Sequence, residues 1–276
     1  MKKNVRPTEA QSAAFKGGSR TFYTASLFFP PKIRTDVVRF YAFVRSADDL
    51  VDTQPQNAAG FYQFRDDWCL SVSGTPSGNP IVDDFVVLSK EHGFEKQWTE
   101  DFLSVMESDL GLVRVVDRKA LLRYTWGSAE VIGLFLSCIL GLPRASRQAA
   151  ILQGRSLQMI NFIRDIREDN ELGRSYLPLS ETSLPDLLET TANKNPEEFS
   201  RFLRAQIRQY EQWQKEADAG YCFIPRRYRV AIKTARDMYN WTARRIKKDP
   251  FLVFKFKLKP AKHTIFFYAI KNLLTA

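Results

Sequence analysis

The sequence predicts an all-α fold, and three observations carry that expectation. Apolar residues recur at helical spacing along most of the chain, strand-like alternation closed by Asn-Gly or Asp-Gly turns is absent, and a helix start is spelled out at Asn195-Pro196 with Glu198 behind it. With 276 residues, 44% of them hydrophobic and 13% aromatic, the chain can bury a sizeable core.

Taken in order, helices are expected over residues Pro31 to Thr53, Ala58 to Ser71, Pro80 to His92, Glu95 to Leu110, Arg118 to Leu140 and Arg144 to Glu171. The Gly/Pro/Ser-rich run from Ser73 to Pro80 is a loop too short to separate domains, so residues 1–276 are read as a single domain, with 1–18 flexible. Leu179 to Asn195 is polar and helix-poor. A helix then restarts with Asn195 as N-cap, Pro196 at N1 and Glu198 at N3, and runs to about Gly220. Another follows Pro225 to about Lys248. The basic, aromatic segment 249–276 interleaves Phe251, Phe254, Phe256, Phe266, Phe267 and Tyr268 with lysines. It reads either as a terminal helix packed on the core or as a surface resting on anionic lipid.

Composition narrows the function. Forty-one Lys+Arg against 31 Asp+Glu give a net charge of +10, which suits a polyanionic partner: nucleic acid, an anionic membrane or a phosphorylated substrate. Cys69, Cys138 and Cys222 form no CxxC pair and read as reduced core thiols of a cytoplasmic protein. His92 and His263 are the only imidazoles, so zinc chemistry is disfavoured and any metal chemistry must rest on carboxylates, which favour hard ions such as Mg²⁺. No signal-peptide core or spanning apolar stretch is present, and the protein is expected to be cytoplasmic, at most peripheral to a membrane.

Two carboxylate patterns point to chemistry. In Tyr41-Ala42-Phe43-Val44-Arg45-Ser46-Ala47-Asp48-Asp49-Leu50-Val51-Asp52, Asp48 and Asp52 share a helix face with Arg45 and Tyr41 one and two turns earlier. In the run from Leu157 to Asp169, Gln158, Asn161, Asp165 and Asp169 form a polar stripe, while Leu157, Ile160, Ile163 and Ile166 mark other faces. A single DxxxD is ordinarily a solvated helix face. Two of them, each in an apolar helix and each beside an Arg, suit a diphosphate held through a magnesium cluster, because Mg²⁺ takes one or two carboxylates, waters and substrate phosphates in octahedral oxygen geometry. Mg²⁺ and Arg can neutralise a departing diphosphate without His, and an apolar, aromatic cavity between helices can shield a carbocation from water.

With Ser19-Arg20-Thr21-Phe22, Tyr41 to Asp52 and Asn161 to Pro178 (NFIRDIREDNELGRSYLP) in that order, nearly the whole chain resembles the squalene/phytoene synthase family of head-to-head prenyl transferases. Tyr124 to Gly133 is similar to the family's Tyr-x-Tyr-x-x-Ala-Gly-x-x-Gly helix. The resemblance implies an isoprenoid-synthase helical bundle with a central cavity, and two or three Mg²⁺ ions bound by Asp48, Asp52, Asp165 and Asp169, with Asp49 a helper. It places Ser19, Arg45, Gln158, Asn161 and Arg164 on the diphosphates and lines the chamber with Tyr41, Phe22, Tyr124 and Tyr239.

It also implies two ionisations through a cyclopropylcarbinyl diphosphate, with NADPH needed for squalene but not for phytoene. Ser26 and Val38 stand where C15-using relatives carry bulky aromatics, so a C20 chain and phytoene, a carotenoid precursor, are favoured over squalene or dehydrosqualene. Glu130 departs from the family's small residue, and the C-terminal basic residue is ambiguous among Lys255, Lys257 and Lys259. The competing readings are an enzyme stopping at the cyclopropyl intermediate, a non-catalytic assembly factor of the same fold, and a basic helical nucleic-acid binder, which would leave both carboxylate faces unexplained.

Overall fold

A computed structural model describes residue 23, residues 26–255 and residues 258–275. Helices dominate: α1 (Pro31–Asp52), α2 (Ala58–Val72), α3 (Pro80–His92), α4 (Lys96–Ser108), α5 (Arg118–Thr125), α6 (Val131–Ile139), α7 (Arg147–Arg164), α8 (Ile166–Glu171), α9 (Glu189–Lys194), α10 (Pro196–Asp218), α11 (Arg226–Lys248), α12 (Leu252–Lys255) and α13 (Lys262–Thr275). Among the described residues the only β-type pairing is an isolated parallel bridge between Arg114 and Ser175. The all-α expectation holds.

Local chemistry explains most of the boundaries. Asn57 caps α2 by accepting from the Gly60 N–H, Asn79 caps α3 from Ile81 and Val82, and Asp117 caps α5 from Ala120. Gly93 ends α3 at φ 66°, the left-handed conformation that glycine adopts without a Cβ clash.

Four sequence expectations change. The helix expected over Arg118–Leu140 widens into a π-helical turn at Trp126–Glu130, between α5 and α6. The one expected over Arg144–Glu171 opens with a 3₁₀ turn (Arg144–Ser146) and breaks at Asp165, whose φ −98° and ψ 14° separate α7 from α8. The stretch Leu179–Asn195 contains the short helix α9, and Asn195 does not cap α10 with its side chain: it donates to the Thr191 carbonyl. Glu198 instead accepts from Thr182 Oγ1 at 2.7 Å and from the Ser183 N–H, tying down the incoming loop. Finally, only Cys138 is partly covered; Cys69 on α2 and Cys222 in the turn after α10 are exposed, so they are free surface thiols.

Two apolar cores form. One joins α1 to α4 and α6 through Phe40, Phe43, Phe85, Phe102 and Phe135, with Phe43 and Phe85 stacked at 3.7 Å. The other joins α5, α7, α10, α11 and α12 through Ile160, Ile163, Phe199, Leu203, Tyr210 and Phe254. The segment after α11 therefore begins as the expected core-packed element, with Leu252, Val253, Phe254 and Leu258 buried. Residues of both cores wall a cavity of about 590 Å³.

Candidate active site

Along α1, Val37, Tyr41, Val44, Arg45, Asp48 and Asp52 recur at three- and four-residue steps and all line this cavity. Arg45 donates to Asp48 Oδ2 at 2.6 Å and is also paired with Asp49. Asp49 is half exposed, points off the cavity and serves as that partner. From α7 and α8, Gln158, Asn161, Arg164, Asp165 and Asp169 line the same cavity. Arg164 forks onto Asp165 with contacts of 2.7 and 2.5 Å. Leu157 also faces the chamber, so this face is broader than the polar stripe alone. The break at Asp165 swings Asp169 onto a separate helix while the Asp169 N–H still donates to the Asp165 carbonyl at 2.8 Å.

A third acidic group joins the two faces. Asp109, at the end of α4, accepts from Tyr124 Oη at 2.6 Å and Tyr176 Oη at 3.1 Å. Arg174 is buried beside it, donating to Asp52 Oδ1 at 2.5 Å and to the carbonyls of Val51 and Asp109. Tyr124, Phe162 and Tyr176 form an aromatic wall, with Phe162 and Tyr176 stacked at 4.7 Å. In the sequence Asp109 is only the end of an expected helix, and Arg174 and Tyr176 only members of a motif. No periodic signal marks Asp109; chain distances of 15 and 67 residues to its tyrosine partners hide it.

Electrostatics set the cavity apart. Burial and then Asp52 hold Asp48 well above the usual carboxylate range, and burial and then Asp165 push Asp169 up to about 8. Burial raises Asp109 to about 6 against the pull of its tyrosine and arginine partners. Tyr41 is pushed to about 12 and Tyr239 upward, both mainly by burial.

Most of the remaining expected residues converge here. Tyr124 and Tyr239 line the chamber, as does Ser26, whose hydroxyl is turned back onto the Tyr23 carbonyl at 2.7 Å. Val38 does not: it is buried in the core of α1 to α4, and Val37 takes the cavity-facing place, because four residues before Tyr41 is 37 and one residue further rotates about 100° around the helix. Ser19, Phe22 and Lys257 lie outside the described residues. Of the other two lysines, Lys259 lines the cavity and Lys255 pairs with Asp249 at 3.3 Å. Glu130 is turned away from the chamber; it is buried against Arg155, with contacts of 2.7 and 3.0 Å, and against Thr125. Among the described residues one other carboxylate–histidine cluster, Asp36, Glu91 and His92, is already engaged by the buried Arg39, which pairs with Asp36 and Glu91 as well as with Asp84.

Magnesium fits the donors around the cavity. Four aspartate carboxylates are hard oxygen ligands, two of them resist ionisation beside a like charge, and the buried Asn161 Oδ1 has no hydrogen-bond partner.

Comparison with known proteins agrees with this geometry. Residues 15–264 match the family model described as squalene/phytoene synthase. A 15-cis-phytoene synthase from Enterobacter agglomerans is 30% identical over 238 residues, spanning 81% of this chain and 80% of that one. A presqualene diphosphate synthase from Rhodopseudomonas palustris is 32% identical over 57% of this chain and 58% of its own. Among solved structures, a dehydrosqualene synthase in complex with ligand superposes with a TM-score of 0.86 at 23% identity, covering 96% of this chain and 94% of that one. The matched family model, the bacterial relatives and the shared helical fold together establish that the chain belongs to the squalene/phytoene synthase family of head-to-head prenyltransferases.

Proposed function

We propose that this protein condenses two geranylgeranyl diphosphates head to head into phytoene, on a single helical domain, as a step in carotenoid formation. The observation that carries the reading is the convergence of Asp48, Asp52, Asp165 and Asp169 on one cavity whose other walls are apolar and aromatic. Magnesium held by these four aspartates would offset the negative charge that develops on each departing diphosphate.

The protein's own residues account for the rest. Arg45 at Asp48 and Asp49, Arg164 at Asp165 and Arg174 at Asp52 sit beside the carboxylates and would offer guanidinium donors to diphosphate oxygens. Gln158 and Asn161 add amide donors and acceptors on the same face. In the first half, one allylic diphosphate leaves, the other substrate's double bond attacks, and loss of a proton closes the cyclopropane. In the second half the remaining diphosphate leaves, the cation rearranges, and loss of a second proton gives the triene core of phytoene without a reductant. Phe162, Tyr124, Tyr176 and Tyr239 exclude water and present π-faces to the cations.

Chain length follows from small side chains at the cavity wall. Ser26 and Val37 leave room that a bulky aromatic would fill, which supports C20 over C15 substrates. The name of the Rhodopseudomonas palustris relative supports a second reading, an enzyme that stops at the cyclopropyl diphosphate. Incubation with Mg²⁺ and either farnesyl or geranylgeranyl diphosphate, with and without NADPH, followed by product identification, separates these. Phytoene from the C20 substrate, independent of NADPH, is expected; C30 products alone, or accumulated cyclopropyl diphosphate, would sink the reading.

A further inference from the structure

The last helix is packed on one side only. Ile265 and Tyr268 rest on Ala235 and Met238 of α11, Ala269 is buried, and Asn272 Nδ2 donates to Thr234 Oγ1 and Asp237 Oδ2 at 3.3 and 3.1 Å. These positions fall at helical spacing and define the inner face. The remainder faces solvent: Phe266 is 66% exposed, Phe267 63%, Ile270 44%, Leu273 68% and Leu274 80%. Exposed apolar side chains scattered singly are ordinary, but five on one 14-residue helix form a patch.

Two more belong to the same end of the molecule. Phe29 packs edge-on against Tyr228 at the start of α11, so the exposed Leu27 and Phe28 lie at the end toward which α13 runs.

Charge says what covers this patch. From Ala219 to Arg236 and from Pro250 to Ala276 the sequence contains no Asp or Glu, yet those two stretches carry ten Lys and Arg residues, of which Arg236 pairs with the flanking Asp218 and Asp237 and Lys255 with Asp249. Arg226 and Arg227, at the start of α11, and Lys32 and Arg34, just beyond Phe29, are exposed around the Leu27–Phe28 end. A second copy of the chain would set this basic rim against its own like charge. An anionic lipid surface satisfies both halves, apolar side chains below the headgroups and cations among them. Among the described residues no helix is long and apolar enough to span, so α13 would lie in the plane of the interface.

We propose that the outer face of α13, with Leu27 and Phe28, docks the protein onto an anionic membrane. Ala235 and Met238 line the cavity on one side of α11 and carry α13 on the other, while Ser26 and Phe29 line the cavity beneath Leu27 and Phe28. The docked face thus roofs the apolar end of the chamber, and a hydrocarbon product is released toward lipid rather than water. This consequence rests on the proposed reaction; the docking itself does not.

The test is flotation of the full chain with phosphatidylcholine vesicles, with and without one third phosphatidylglycerol, at low and high salt. Partition onto the anionic vesicles should be at least about tenfold stronger and should fall with salt. A Phe266→Ser, Leu273→Ser, Leu274→Ser variant should lose at least about tenfold in partition while its melting temperature and its turnover in detergent micelles stay within about twofold of wild type. Arg226→Gln with Arg227→Gln should remove some of the salt-dependent component. Absence of wild-type partition, or partition indifferent to the triple variant, overturns the proposal. So does a wild-type dimer, by light scattering, that the triple variant turns into a monomer, since the face would then belong to a second copy. Vesicle binding without phytoene formation would fault the proposed reaction alone.

Discussion

Asp109 is surrounded by groups that favour its charge, two tyrosine hydroxyls and the nearby Arg174, yet burial still raises it to about 6. Desolvation wins because the group sits at the closed end of α4 with little water to reach it. A folded-state value above the unfolded one means stability that is fully present below the unfolded pKa, near 4, and is lost as pH rises through about 6. The ionised carboxylate is retained because it fixes Tyr124 and Tyr176 at the wall between the two aspartate faces. Asp109→Asn should therefore lose several-fold in turnover, and its melting temperature relative to wild type should rise between pH 5 and pH 7.5. A difference that stays flat across that range, in paired thermal melts, would show that the burial argument is wrong. The residue also marks where sequence reading stops. The aspartates at 48, 52, 165 and 169 could be found because a helix repeats every 3.6 residues; Arg174 and Tyr176 are visible as motif members, but their meeting with Asp109 comes only through the tertiary fold, and nothing local announces Asp109.

At the scale of elements, the contact between the π turn, α6 and α7 places the second aspartate face. Gly133 and Gly154 let the two backbones touch: a Cβ on Gly154 would come within 2.2 Å of the Ala129 carbonyl oxygen, and one on Gly133 within 2.1 Å of that of Ala150. Neither neighbour is a flexible side-chain tip, so a methyl group must push the helices apart. Gly154→Ala should destabilise by about 2–4 kcal/mol and reduce turnover well beyond its effect on folding, since Gln158, Asn161 and Asp165 continue the same helix. Chemical denaturation together with kcat measured at a temperature where the variant is folded checks both. Glu130 belongs to the same contact: what reads in the sequence as a carboxylate near the chamber is a buried clasp onto Arg155. Its partner lies 25 residues on, invisible to helical periodicity. Periodicity is informative where it can be counted from a fixed point, as at Val37, which Tyr41 places on the cavity face while Val38 turns into the core. Val37→Phe with Ser26→Phe should cut C20 turnover at least about tenfold while sparing C15 turnover, read as product from paired substrates. Equal loss on both substrates would mean the pair does not bound the prenyl tail.

For the whole molecule, the arrangement is two apolar cores held around a chamber that concentrates negative charge. Four carboxylates from α1, the end of α7 and α8 face one space; Arg45 is shared between Asp48 and Asp49, Arg164 pairs with Asp165 and Arg174 with Asp52, so the carboxylates outnumber the arginines. Burial raises Asp48 and lifts Asp169 to about 8, and Asp52 and Asp165 add like-charge repulsion. A divalent cation would relieve that repulsion, so magnesium held here would compete with protons for these ligands. As pH rises from 6 toward 8.5 those protons leave, and the magnesium concentration giving half-maximal thermal stabilisation should fall. Diphosphate added with the metal should stabilise further if Arg45 and Arg164 hold it beside the metal; a ligand that binds the folded chain alone contributes about 2.7 kcal/mol at 100 times its dissociation constant. In Asp165→Asn the metal-dependent gain should largely vanish, and the metal-free chain should melt below the wild-type temperature because the buried Arg164 loses its carboxylate partner. Thermal shift titrations of Mg²⁺ at three pH values, on wild type and this variant, decide the matter: a midpoint that does not move with pH, or an Asp165→Asn chain stabilised as strongly as wild type, would place the metal elsewhere.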